Sequence, residues 1–135
     1  MKPKNVKLAY TIHVDYGTDG WAWMKPSDDE AMHIGNWAGE YNGWYGDQAI
    51  STELFEDFNQ WMLMYERAKL YIHENVIKFD WMAFEGKGLH LAKRLKLELG
   101  DSVTVRYLKP SEDPDYDLNK RLEVLSNGET IEINR

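Results

Sequence analysis

The chain contains no cysteine. Disulfides, thiolate nucleophiles and cysteine-based zinc sites are therefore excluded. Long hydrophobic runs are missing too. Nothing approaches the roughly 20 apolar residues that a membrane helix requires. Basic charge is scarce: 16 Lys and Arg stand against 23 Asp and Glu, for a formal charge of −7. Such a surface repels nucleic acid and anionic membrane and favours a basic partner. Met1 to Lys7 carry the charge of a signal-peptide start, but Leu8 to Tyr16 alternate polar and apolar residues and include His13 and Asp15, which is no signal core. The expectation is a cytoplasmic protein.

Catalytic signatures are equally thin. His13, His33, His73 and His90 form no pair at the i, i+4 spacing of a helical metal site. His13, beside Asp15 on the polar face of a strand, reads as a surface histidine or a general base. His73 and Glu74 are placed at a helix end, where a cation suits the dipole. His33, Glu40 and Asp47 have no spacing that demands a metal. No nucleophile elbow, phosphate loop or dinucleotide fingerprint is present. No cofactor is implied, and the chain reads as a binder more readily than as an enzyme.

What is there fits one domain. With 135 residues, 43% hydrophobic and 13% aromatic, the chain has enough apolar surface for a core. Residues 6–16 alternate with period two. Val6, Leu8, Tyr10, Ile12, Val14 and Tyr16 share the buried face, while Lys7, Ala9, Thr11, His13 and Asp15 share the wet one. Gly17 to Gly20 form a turn, and Trp21 to Met24 return as a short strand. A short helix is capped by Ser27 and Glu30 and stopped by Gly35. Residues 52–74 repeat Leu54, Phe58, Trp61, Met62, Tyr65, Ala68 and Ile72 at spacings of three and four, a long helix capped by Ser51. Residues 81–99 form another, capped by Asp80 and ended by Gly100. Gly88 lies on its apolar stripe, which predicts close approach of another element.

Strand 103–108 is followed by an extended loop with Pro110, Pro114 and the acids Glu112, Asp113, Asp115 and Asp117. Asn127-Gly128 is the preferred pair for a two-residue hairpin turn. That turn sets Leu125 against Thr130, Val124 against Ile131, Glu123 against Glu132 and Leu122 against Ile133. Strands segregate from helices. The fold class expected is α+β: a mainly antiparallel sheet of about four to five strands with two long helices packed on one face.

The segment 34–46 is the most unusual. Four of the ten glycines lie in it, interleaved with Trp37, Tyr41, Trp44 and Tyr45. Glycine permits close backbone approach, and Trp and Tyr are enriched at binding hot spots. The stretch is a partner surface, a pocket wall, or a cover for the second face of the sheet. The acids Glu112, Asp113, Asp115 and Asp117 offer a second partner-binding element.

The run Phe79-Asp80-Trp81-x-x-Phe84-x-x-x-Gly88-x-x-Leu91-Ala92-x-x-Leu95-Lys96-x-x-Leu99-Gly100 is followed by Val105-x-Tyr107-x-x-Pro110-x-x-Asp113-Pro114. Together they resemble segments of small bacterial proteins that include the immunity proteins of polymorphic or contact-dependent growth-inhibition toxins. The likeness covers about a quarter of the chain, mostly helix packing. It implies a protein that binds and neutralises a cognate toxin domain with a basic surface. It carries over no site residues. The alternative is a small-molecule or carbohydrate-binding domain, or a minor enzyme, with the 34–46 loop as a pocket wall. An accessory protein of a phage or mobile element is a third.

Overall fold

Helix α1 (Thr52–Arg67) begins where Ser51 turns its hydroxyl back on the chain, accepting from the Leu54 N–H at 3.1 Å. Asp80 does the same for α3 (Trp81–Leu99), accepting from Ala83 at 3.1 Å. Each cap satisfies a backbone donor that the first helical turn leaves open. The computed structural model describes residues 8–14, 22–25 and 50–134. They form β1 (Leu8–Ile12), β2 (Ala22–Lys25), α1, the short α2 (His73–Lys78), α3, β3 (Val103–Tyr107), β4 (Lys120–Val124) and β5 (Thr130–Asn134). The expected helix 27–35, the 34–46 segment and the His33, Glu40 and Asp47 set lie outside the described residues. None of the described helices is long and apolar enough to cross a membrane.

The architecture is α+β, with one sheet in the order β2-β1-β3-β4-β5. The sheet is mixed rather than mainly antiparallel. β1 runs parallel to β3, with Tyr10 opposite Val105 and Ile12 opposite Tyr107, and the other neighbours are antiparallel. The helices intervene between β1 and β3 in the chain, and such a crossover brings two strands together in parallel. The two long helices also play unequal parts. α3 makes the main contact with β3 and β4, and α1 packs mainly on α3. Of the two long helices expected to pack on one face of the sheet, α3 makes the main sheet contact.

The helix pair is antiparallel. Glu98 accepts from both the N–H and the hydroxyl of Ser51 at 2.6 Å, and Arg94 meets Asp57 at 2.6 Å. Leu54, Phe58, Trp61 and Tyr65 form the buried stripe of α1, and Phe84, Gly88, Leu91, Ala92, Leu95 and Leu99 that of α3. Trp61 fills the centre. Its ring stacks on Phe84 at 4.7 Å, its indole N–H donates to the Phe84 carbonyl at 3.0 Å, and it reaches Tyr107 of the sheet at 6.1 Å.

Gly88 makes this arrangement possible. A Cβ there would collide with the Trp61 ring and lie 2.9 Å from Tyr107 Cε1, whereas a Cβ on Gly86 meets nothing within 4 Å. The two glycines should therefore respond oppositely to alanine. Gly86→Ala is expected to stabilise by about 0.5–1 kcal/mol, the helix-propensity gain. Gly88→Ala is expected to lose about 1–3 kcal/mol, because overpacking against buried rings exceeds that gain. Urea unfolding of the two variants checks the contrast in sign.

The long helix expected over 52–74 breaks after Arg67. Lys69 takes a left-handed conformation, φ 52°, and Leu70 then turns inward to 2% exposure. Burying Leu70 behind this turn outweighs the strain of a non-glycine residue there. The Asn75 side chain donates to the Lys69 carbonyl at 3.1 Å and braces the turn. Ile72, expected on the buried stripe, is exposed, and His73 opens α2 rather than closing α1.

The second face of the sheet is closed as well. Ala9 and Thr11 are fully buried, and His13, Thr104, Arg106 and Arg121 are nearly so. The expected wet face of β1 is thus an interior one. This explains why every residue of β3 is buried, as in strands covered on both sides.

The terminal hairpin turns differently from the two-residue form. Gly128 donates to the Leu125 carbonyl and Leu125 to that of Glu129, and of the turn residues only Gly128 has positive φ, 86°. This is a three-residue loop ending in a glycine bulge. The register moves by one: Val124 opposes Thr130, Glu123 opposes Ile131, Leu122 opposes Glu132 and Arg121 opposes Ile133. The expected Glu123–Glu132 repulsion does not exist. Glu123 instead pairs with Arg106 across β3 and β4 at 3.3 Å.

Candidate functional site

The segment 109–119, between β3 and β4, is tightly built. Asp113 donates its N–H to the Pro110 carbonyl at 3.0 Å, Tyr116 to that of Asp113 at 2.9 Å, and Lys120 to that of Asp117 at 3.0 Å. The Asp113 carboxylate accepts from the Asp115 N–H at 2.7 Å, and that of Asp117 from Asn119 at 2.9 Å. Aspartate side chains commonly stabilise turns this way, by accepting from a backbone N–H two residues on.

The four acids do not act alike. Asp113 is buried, and half-buried Glu112 accepts from the Tyr65 hydroxyl of α1 at 2.8 Å. Both anchor the loop inward. Asp115 and Asp117 stay exposed, and Asp115 approaches Lys109 at 3.9 Å. Leu118 beside them is 45% exposed. Trp37, Tyr41, Trp44 and Tyr45 lie outside the described residues. His13 is not a surface base: it is buried, its Nδ1 donates to the Leu108 carbonyl at 3.3 Å, and its ring stacks on Tyr116 of the loop.

Behind the loop lies an acid that sequence reasoning passed over. Glu85 of α3 accepts a hydrogen bond from the Tyr107 hydroxyl through Oε1. Its Oε2 is buried and makes no hydrogen bond of regular geometry. Burial first, and then the neighbouring Asp113 carboxyl, pushes Glu85 up to about 9, although Tyr107 and Lys109 pull it down. Burial and then Glu85 hold the Tyr107 hydroxyl well above its ordinary range. At neutral pH the joint therefore contains a protonated Glu85 and a protonated Tyr107 against the anchored loop. The signal for Glu85 was its spacing: it follows Trp81 by four and precedes Gly88 by three, which puts an acid on the apolar flank of the helix.

Two carboxyls side by side, one of them protonated, form an acid/base arrangement in many enzymes. Here the pair does not line the neighbouring cavity of about 460 Å³, whose lining includes Tyr107, Leu108 and half-buried Leu122. Tyr107 alone touches both. The pair joins α3 to the loop. Lys109, Lys120 and Arg121 supply positive charge to the cavity wall, and Asp115, Asp117 and Glu132 negative charge. Among the described residues no group of three or more His, Asp or Glu side chains is arranged to hold a metal ion.

Comparison with protein-family models, with curated proteins and with solved structures finds no match for the chain.

Proposed function

We propose that the chain is a non-catalytic binding protein of the immunity type, which holds a basic protein, a toxin domain in the first instance, against its acidic loop. The observation that carries the reading is the inward anchoring of Glu112 and Asp113. It fixes the loop backbone and leaves Asp115, Asp117 and Leu118 presented outward. A surface ordered before the encounter loses less entropy on binding. Exposed acid on a chain of net charge −7 speeds approach of a basic partner and disfavours nucleic acid and anionic membrane. In this reading the protein works in the cytoplasm, and Trp37, Tyr41, Trp44 and Tyr45 add apolar anchors.

The charge-reversed variant Asp115→Lys/Asp117→Lys tests the reading. The immobilised wild-type protein should retain a basic protein from the host's lysate at low salt, and the variant should not. With that partner purified, the association rate should fall about tenfold or more on reversal and fall again with added salt, as steered encounters do. Identical capture by both proteins, or a rate indifferent to salt, would remove the proposal.

A further inference from the structure

The cavity beneath the loop has a charge pattern of its own. Lys120 and Glu132 stand on one face of the β4–β5 hairpin. Leu122 pairs with Glu132, and Lys120 pairs with Asn134 one step further along that face. Lys120 and Glu132 are therefore diagonal neighbours, on the order of 7–8 Å apart at the backbone. Both line the cavity, and among the described residues neither has an ion-pair partner. Half-buried Leu122 stands on that same face and supplies apolar surface to the cavity, while Tyr107 opposite it is buried against Trp61.

Complementarity narrows what fits. A simple anion would meet Asp115, Asp117 and Glu132. A simple cation would meet Lys109, Lys120 and Arg121. An uncharged apolar molecule would strip water from charges of both signs and return nothing. A small molecule that carries an ammonium and a carboxylate on a short apolar body answers Glu132 and Lys120 together. The volume, about 460 Å³, is in the range of small-ligand sites.

We propose that this cavity binds a free amino acid with an apolar side chain. Its carboxylate lies on Lys120, its ammonium on Glu132, and its side chain against Leu122. The site goes beyond protein binding by the loop. Asp115 and Asp117 also line the cavity, but Lys120 and Glu132 are not among the loop's outward acids, so Lys120→Ala and Glu132→Ala test the amino-acid site with the partner-binding acids left in place.

Calorimetric titration of the full chain with L-phenylalanine and L-leucine tests the site. N-acetyl-phenylalanine, which lacks the ammonium, and phenylalaninamide, which lacks the carboxylate, serve as single-charge controls. Saturable binding by the free amino acids is expected, with each control weaker by roughly tenfold, the worth of one charge-assisted contact. Lys120→Ala and Glu132→Ala, both exposed strand positions, should each weaken binding by a similar factor while melting as the wild type does. The proposal is overturned by no saturation up to about 10 mM, the weakest dissociation constant the titration would register. It is equally overturned by a single-charge control that binds as well as phenylalanine, or by folded variants that bind as the wild type does.

Discussion

Replacing Glu85 with glutamine is expected to stabilise the protein at pH 8 and to leave it nearly unchanged at pH 5. In the folded protein Glu85 keeps its proton up to about 9, whereas its ordinary value is 4.5. Between those limits the folded protein binds one proton more than the unfolded chain, so rising pH favours unfolding. The contribution of the protonated carboxyl is complete below about pH 4.5 and is lost as pH climbs toward 9, at roughly 1.4 kcal/mol per pH unit. Glutamine copies the protonated acid. Its carbonyl accepts from Tyr107 and its amide can donate toward Asp113, with no proton to release. Unfolding by urea at pH 5, 6.5 and 8 should show two curves that start together and diverge as the wild type weakens. Parallel curves would mean that Glu85 is ionised in the folded state.

Trp61→Ala should be the most damaging single truncation in the helix layer, at about 3–5 kcal/mol, the usual range for deleting a buried large aromatic side chain. Three losses coincide: the stack on Phe84, the edge contact with Phe58, and the hydrogen bond to the Phe84 carbonyl. Against a typical total stability of roughly 5–15 kcal/mol, that is enough to leave the domain marginal. Denaturant midpoints measure it. The notch at Gly88 adds a cross-check. If that glycine exists to admit the indole, the cost of Gly88→Ala should shrink when Trp61 is already alanine, a coupling that a double-mutant cycle reads directly.

The parts of the fold that rest on local chemistry could be read from the residues. Ser51 and Asp80 cap α1 and α3 where the spacing places them, Gly100 ends α3, and Gly88 does mark a close approach. The errors come from long-range packing that overrides a local preference. The apolar period runs on past Arg67, but burial of Leu70 turns the chain there through Lys69. Asn127-Gly128 admits two turn types of different length, and only the cross-strand pairing chooses between them. His13 and Thr11 alternate as wet-face residues should, yet they are interior because the sheet is closed on both sides.

The candidate site was half legible for the same reason. The acids of the β3–β4 segment stand out as a group, but their division of labour does not. Asp113 and Glu112 look no different in sequence from Asp115 and Asp117, and only the positions of Glu85 and Tyr65 turn the first pair inward. Glu132 and Lys120 could not have been paired from a hairpin register that was out by one residue, since that register places Glu132 on the opposite side.

The parallel seam between β1 and β3 sets the order in which the protein can be made. His13 and the carbonyl it contacts on Leu108 are 95 residues apart, so β1, although it precedes β3 in the chain, has no neighbour on that side until β3 has been made. Contacts so distant in sequence form slowly. Until then Tyr10, Ile12 and Val14 are apolar side chains awaiting their cover, a window in which a nascent chain is open to aggregation or to a chaperone.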